Sequence, residues 1–553
     1  MTKWLILLLV WSASAAQAQQ TFVGKLVDQE TGEAVPFASI GIIGSSKGTS
    51  SNLEGQFSLI CMEAASIKIT CLGYESLVID KLQNNLSIRL KSSTTQLKAV
   101  LITDKKLNGR NIVRKAFKSI SKNYNKKAFT QKFFYRHYCK DDTLYGRLIE
   151  AGVDVWKRKG YRTQQETPGQ REEVRVTQLR RSFDKTPVAS GHVPIALNSI
   201  LETDIVGYQK KVENNLFFIG EVSNLRHFMR QYTFTVEGIT TYDGQDVYII
   251  AFKVKRGEQE LSTGIRFKFQ KSGLLYINTK DYAFVKVQHE RITAFDTLRH
   301  TAFYRKFEGK YYPYHLIKDG KNSFPIDRND QRKNHWYHIE LMSAEIQKNG
   351  YKKFKGREPT REMLLNIPFD STFWNNYNIL KATPLENDIV ADLGGSLSLN
   401  KQFGAYTEVE RKKILSGKED EKRFNDFKVF AKGVKILYVD FWASWCGPCI
   451  QEMVYEKKLL EKYSDKIAFV LLSIDTDDVA WRNAIIKYKL ARPGFVHYRI
   501  GNESDAALFY EVNQIPRYLL FDKAGEHFSL NAKRPSDPDL KNDFDFLIRQ
   551  GNQ

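Results

Sequence analysis

The spacing of apolar and polar positions divides the chain into three regimes. From Thr21 to Ile102, short runs alternate with a period of two: Thr21 to Val27, Pro36 to Ile43, Gln56 to Cys61, Ser66 to Leu72, Ser76 to Ile79 and Leu86 to Leu90. Side chains alternate faces along a strand, so runs of this length and spacing predict a small all-β sandwich. The turns between them agree. Asp28 to Gly32 precedes Glu33-Ala34-Val35-Pro36, and Asn52-Leu53-Glu54-Gly55 precedes Phe57. Asp and Asn in such stretches bond their own backbone, and glycine takes the conformations that other residues avoid.

The second regime opens with a helical period that sets Ile112, Ala116, Ile120 and Tyr124 on one face. Long alternating runs rich in Tyr, Phe, Val and Thr follow, among them Gln131 to Cys139, Leu144 to Trp156, Tyr232 to Gly238, Asp246 to Lys255, Ile265 to Gln270, Leu274 to Asn278 and Ala283 to Ile292. With turns such as Tyr242-Asp243-Gly244-Gln245, they predict a meander of hairpins, an antiparallel β-rich domain with one basic helix. A curved half-barrel of lipid-carrier geometry is the fold analogy, and no activity is assigned to it. A charged stretch containing Lys418 to Arg423 then forms a helical approach to the next core. From Lys435 strands alternate with helices, which predicts an α/β domain: Ile436 to Phe441, a helix from Cys446 to Tyr463, Ala468 to Ile474, a helix near Val479 to Lys487, then Tyr518 to Phe521 and His527 to Leu530.

Length supports this division, because 553 residues exceed what one hydrophobic core supports. The expected units are a signal peptide at 1–18, a β-sandwich at 19–102, a β-rich middle domain at 103–385, a charged approach at 386–434 and an α/β domain at 435–553. Met1-Thr2-Lys3, the apolar run Trp4 to Trp11 and the small-residue end Ala16-Gln17-Ala18 have the n-region, h-region and cleavage pattern of an export signal. Export to the periplasm or cell envelope is therefore expected, a compartment that permits disulfides.

The formal net charge of +21 would suggest nucleic acid in a cytoplasmic protein, but export excludes that partner and leaves an anionic envelope surface. Lys105 to Arg136 is the densest basic stretch, with eleven Lys or Arg and no acid. A solvated helix face is its simpler reading. Five cysteines are too few for a disulfide framework at this size. Cys61, Cys71 and Cys139 read as free core cysteines, with a Cys61 to Cys71 bridge as the alternative.

The remaining two cysteines carry the chemistry. Val439-Asp440-Phe441-Trp442-Ala443-Ser444-Trp445-Cys446-Gly447-Pro448-Cys449 joins a strand to a helix, with both sulfurs at the helix start. Unsatisfied N–H groups and the positive end of the helix dipole there favour a thiolate on Cys446. Cys449 lies just under one turn on, within reach of Cys446, and Pro448 gives up an N–H that had no helical partner. Zinc is disfavoured because His497 and His527 are isolated, and haem attachment because Ile450 follows Cys449. No metal and no cofactor beyond a Cys446-Cys449 redox disulfide is expected. Asp440 lies in an apolar strand, where a carboxyl is costly unless a raised pKa lets it relay protons to Cys449.

Two resemblances add to this reading. Gly24, Asp28, Thr31-Gly32-Glu33, Pro36, Gly48-Thr49, Gly55, Phe57 and Gly73-Tyr74 resemble the carboxypeptidase regulatory-like domain, which implies a transthyretin-like sandwich serving as an accessory or docking module. Roughly Leu437 to Arg549 resembles the thioredoxin superfamily, in particular the exported TlpA and ResA group of disulfide reductases. The resemblance rests on the cysteine motif, Ser473-Ile474-Asp475, Trp481, Tyr510 to Arg517, Asp522 to Gly525 and Arg534 to Pro538. It implies that Cys446 is the nucleophile, Cys449 the resolving thiol and Pro516 a cis-proline facing them, with Ile515 offering backbone to an extended substrate and Trp445 shaping the surface beside the attacking sulfur. Val454 departs from the group, where a proline usually follows Glu452-Met453. Gly447-Pro448 resembles reducing thioredoxins, near about −270 mV, rather than oxidants near about −120 mV. The implied function is reduction of disulfides in envelope proteins, with electrons drawn from a membrane thiol donor. The alternative is an envelope-binding protein whose redox domain is accessory.

Overall fold

A computed structural model describes residues 19–93, 107–161, 172–185, 195–207, 229–260, 266–293, 296–325, 332–356, most of 359–407, 436–475, 478–500 and most of 506–550. The leader at 1–18 and the stretch 408–435, which holds most of the charged approach, lie outside the described residues.

Seven strands form the N-terminal sandwich: β1 (Gln19–Asp28), β2 (Ser39–Ile42), β3 (Gly48–Ser50), β4 (Gln56–Met62), β5 (Ile67–Thr70), β6 (Leu77–Ile79) and β7 (Leu86–Leu90). One sheet has the order β4-β1-β7 and the other β3-β2-β5-β6. Inward positions of both, including Phe22, Leu26, Ile40, Phe57, Leu59, Ile67, Ile69 and Ile88, make one core. Cys61 and Cys71 are buried in it as free thiols, and Cys139 is likewise buried and free, so the Cys61 to Cys71 bridge does not form.

The middle unit begins with α1 (Gly109–Asn123), capped by Asn108, whose side chain accepts the Asn111 N–H at 3.0 Å. An antiparallel sheet follows: β8 (Phe129–Asp141), β9 (Leu144–Lys157), β10 (Glu172–Arg181), β11 (Tyr232–Tyr242), β12 (Gln245–Val254), β13 (Glu258–Glu260), β14 (Arg266–Asn278), β15 (Phe284–Thr293), β16 (Asp296–Phe307), β17 (Lys310–Pro325) and β18 (Arg332–Gln347). Its order is β10-β9-β8-β18-β17-β16-β15-β14-β12-β11, with β13 paired to β14. Alternation assigns the two faces. Tyr304 points to the face covered by α1, its ring 5.9 Å from Tyr124, whereas Phe303 points the other way and meets Phe37 of the sandwich at 5.6 Å.

That second face docks the sandwich. Tyr314 Oη donates to the Phe37 carbonyl at 2.9 Å, His315 Nδ1 lies 3.2 Å from Ser50 Oγ, and Asn52 Nδ2 donates to the Lys381 carbonyl at 3.1 Å. The Gly73 N–H donates to the Thr241 carbonyl at 2.9 Å, joining the sandwich to β11 at the end of the sheet. A further helix, α2 (Pro384–Gly394), lies across residue 385, and its Ile389 and Leu393 pack with Leu148 of β9.

The C-terminal unit is a five-stranded sheet of β19 (Ile436–Trp442), β20 (Ile467–Ser473), β21 (Phe495–Arg499), β22 (Arg517–Phe521) and β23 (His527–Ser529), in the order β21-β20-β19-β22-β23. β19, β20 and β21 run parallel; β22 and β23 join antiparallel. Helices α3 (Gly447–Tyr463), α4 (Asp478–Lys487) and α5 (Leu540–Gln550) complete it. Among the described residues no helix is long and apolar enough to cross a membrane.

The α1 face yields a stability test. Ile112, Ala116, Ile120 and Tyr124 are buried while Arg114, Lys115, Lys118 and Lys122 are exposed. Ile120→Ala is expected to cost about 2–4 kcal/mol and Lys118→Ala less than about 0.5 kcal/mol, read as shifts in denaturant midpoint.

Candidate functional site

β19 is buried along its whole length, and its alternation sorts its residues between two layers. Leu437, Val439 and Phe441 pack with Leu519, Phe521 and Tyr510 on one side. Tyr438 and Trp442 face the other side, in the cluster that holds Cys446, Cys449 and Met453 of the α3 region. Asp440 lies between Tyr438 and Trp442 in this alternation and shares their side.

The chain leaves β19 through Ala443-Ser444-Trp445 and enters α3 with Cys446 as N-cap. Asp475 anchors this loop. Its carboxylate accepts the Ser444 N–H at 2.8 Å, the Ser444 hydroxyl at 2.7 Å and the Ser473 hydroxyl at 2.7 Å. The Cys446 sulfur accepts the Cys449 N–H at 3.2 Å, a donor with no helical partner. Cys446 and Cys449 are joined as a disulfide with Cα atoms 5.3 Å apart. Gly447 and Pro448 form the first turn, where the missing proline N–H costs nothing, and no acid there opposes the helix dipole. Cys446 keeps 4% of its surface, Cys449 none, and Trp445 beside them is 62% exposed. An incoming sulfur therefore meets Cys446 first.

The peptide bond Ile515-Pro516 is cis. Arg517 pairs with Phe441, so Pro516 stands at the end of the sheet from which the Cys446 loop departs. The structure thus gathers Cys446, Cys449, Gly447, Pro448, Trp445, Pro516 and Ile515 at one sheet end, with Asp440 beneath the helix. α3 runs unbroken through Val454, which is exposed.

The sequence reading gave three carboxyls no role in the site and passed over a strand. Asp475 is one. Glu452 accepts the Ser536 N–H at 2.9 Å and its hydroxyl at 2.8 Å, tying the segment before α5 to the cysteine helix. Glu456 is wholly buried, as is Asp440, and none of their four oxygens has a donor from elsewhere. Burial drives both carboxyls well above the ordinary range, and each feels the negative charge of Glu452. The spacing Cys449, Glu452, Met453, Glu456, Leu459, Leu460, Tyr463 is one buried helix face, and that period was the signal available. β21 was overlooked because Phe495 to Arg499 is only partly buried.

A parallel-antiparallel five-stranded sheet with a cysteine pair at a helix start and a cis-proline opposite defines a thioredoxin-like redox domain. Comparison with known proteins agrees. A profile described as CarboxypepD_reg-like domain matches residues 22–102, and one described as Thioredoxin-like matches residues 433–527. The thiol-disulfide oxidoreductase ResA of Bacillus thuringiensis subsp. konkukian is 31% identical over 150 residues, covering 25% of this chain and 80% of the relative. A thioredoxin of Malassezia sympodialis is 31% identical over 86 residues, covering 15% and 79%. A solved thiol-disulfide oxidoreductase from Bacteroides fragilis is 26% identical, covers 21% of this chain and 82% of its own, and superimposes with a TM-score of 0.19. Through its C-terminal part, the chain belongs to the thioredoxin-like thiol-disulfide oxidoreductase family of ResA.

Two measurements follow from the carboxyls. Asp475→Ala leaves two donors of the cysteine loop, both on Ser444, and the Ser473 hydroxyl without their acceptor, and is expected to cost the C-terminal domain about 2–4 kcal/mol in unfolding. The buried Asp440 and Glu456 start from ordinary values of 3.8 and 4.5 and are raised on folding. Above those values the unfolded chain has released protons that the folded domain retains, so stability is lost as pH climbs towards the folded values. The thermal midpoint of this domain should fall between about pH 5 and about pH 9. A double Asp440→Asn, Glu456→Gln variant should flatten the fall.

Proposed function

We propose that the protein is an exported disulfide reductase that opens disulfides of envelope proteins by dithiol exchange through Cys446 and Cys449. The observation that carries the reading is the asymmetry of the pair: one sulfur at a helix N-cap with a little exposed surface beside Trp445, the other sealed beneath it. In the reduced enzyme the Cys446 thiolate attacks a client sulfur, and the client's other sulfur leaves as a thiolate. Cys449 then loses its proton, attacks the Cys446 sulfur and releases the second client thiol. Two electrons pass to the client, whose two sulfurs take up the proton released by Cys449 and one from water, and the enzyme is left with the Cys446-Cys449 disulfide.

The substrate segment would lie extended along Ile515 and Pro516. Among the described residues no hydrogen bond engages the Ile515 backbone, which supports its use as a docking edge. Asp440 would take up the Cys449 proton. Regeneration requires an outside thiol, for which a membrane dithiol carrier is the fitting class of partner. The leader pattern at 1–18 supports a periplasmic or envelope location, and the exposed lysines and arginine of α1 suit an anionic envelope surface rather than nucleic acid.

Insulin disulfide reduction at neutral pH, driven by a small dithiol, tests the proposal. Cys446→Ser should lose all of it. Cys449→Ala should accumulate client proteins as mixed disulfides on Cys446, identifiable by mass spectrometry. Undiminished turnover in Cys446→Ser would overturn the assignment.

A further inference from the structure

Dithiol exchange calls for one proton acceptor near Cys449, yet the domain buries a second carboxyl that this scheme does not use. Glu456 lies seven residues, about two turns, beyond Cys449 on the same buried face of α3. It is fully enclosed, at a position where an apolar side chain would pack at no electrostatic cost. The carboxyl of Asp440 on β19, also fully enclosed, lies within hydrogen-bonding reach of it. The two carboxyls interact with each other, and no other donor reaches either of them. Two carboxylates cannot both stay ionised in such a site, whereas a carboxylic acid bonded to a carboxylate satisfies both.

The surroundings reinforce this. On α3 the nearest titratable neighbour is Glu452, another acid. β19 contributes Tyr438, whose hydroxyl donates to the Lys533 carbonyl at 2.7 Å and so turns away from the pair. β22 contributes Tyr518, stacked on Tyr438 at 5.5 Å. The negative charges of Asp440 and Glu456 help push both phenols upward. Arg534 acts on Tyr438, and among the described residues neither Asp440 nor Glu456 forms an ion pair with a lysine or arginine. The site therefore stabilises a held proton and not a pair of charges.

We infer that Glu456 is the proton-sharing partner of Asp440, and that the two carboxyls together take up the proton of Cys449 as it attacks the mixed disulfide. The inference rests on the dithiol-exchange reading. In that step the Cys449 S–H bond breaks and its proton passes to the singly charged pair. The Cys449 sulfur bonds to the Cys446 sulfur, the bond from Cys446 to the client breaks, and its electron pair leaves on the client sulfur. The client thiolate is protonated by water or by the pair. Glu456 acts through Asp440 and is a positioning residue.

The test uses the full-length reduced protein and 5,5′-dithiobis(2-nitrobenzoate). Attack by Cys446 releases the first thionitrobenzoate, and resolution by Cys449 releases the second, so the two steps appear as separate absorbance phases. Glu456→Leu removes the acid whose proton stabilises the Asp440 carboxylate in the singly charged pair, whereas Glu456→Gln keeps a donor there. The pH of half-maximal second-phase rate should then rise by about one unit or more in Glu456→Leu and stay nearer the parent's in Glu456→Gln, with the first phase unchanged. Infrared titration should show carboxylic acid C=O absorption lost in two steps in the parent and in one step in each variant. A second-phase profile that superimposes on the parent's in both variants, or one-step carboxyl titration in the parent, overturns the role of Glu456. Absence of the first phase in the parent overturns the exchange reading itself. Thermal melts identify any variant that fails to fold, and the infrared titration of the near-isosteric Glu456→Gln carries the test if the leucine variant does.

Discussion

The first amide groups of an α-helix have no partners within it, and at the start of α3 the Cys446 sulfur takes the one offered by Cys449. That bond requires the chain to enter the helix from a defined direction. Burial of β19 supplies the direction, and Asp475 ties the connecting loop, through the Ser444 N–H and hydroxyl, to the end of β20, through the Ser473 hydroxyl. A helix dipole unopposed by nearby acid then favours negative charge on that sulfur when the disulfide opens. The cysteine chemistry is thus a property of the strand-loop-helix junction and not of two side chains in isolation.

Beneath the junction the same packing has a different electrostatic effect. The face of α3 that carries Cys449 also carries Glu452, Met453 and Glu456, so the layer between helix and sheet contains carboxyls among aromatic rings. The Glu452 carboxylate is satisfied by the N–H and hydroxyl of Ser536, whereas the oxygens of Asp440 and Glu456 meet no donor outside the pair. Helix start and helix interior therefore make opposite demands, a stabilised anion at one end and a retained proton two turns below.

What could be read from the sequence follows the range of the interactions involved. The strand Ile436–Trp442, the helix beginning at Cys446 and the β-periodic stretches are set by neighbours along the chain, and apolar spacing reveals them. The cysteine motif was legible for the same reason, since its chemistry depends on three consecutive turns of backbone. Asp475 and Ser536 act across 31 and 84 residues respectively, and although both lie in segments that carry the family resemblance, nothing local marks the bonds they make. Glu456 was legible in principle from its period, but a glutamate in a helix that mixes glutamates and lysines looks like a solvated residue until the opposing strand is in place. The helix over 384–394 was obscured in a similar way, because its charge masks the two apolar residues, Ile389 and Leu393, that seat it on the sheet.

The docking of the sandwich onto the middle sheet carries an evolutionary consequence. Phe37 against Phe303, Ser50 against His315 and the Gly73 amide against Thr241 link residues more than 150 positions apart. Two modules joined by a flexible tether diverge independently, but two modules that share a packed seam cannot. Changes at Phe303 or Tyr314 would be tolerated only alongside matching changes in the strand and turn residues they meet. The first two thirds of the chain should therefore be inherited, shuffled and lost as one piece.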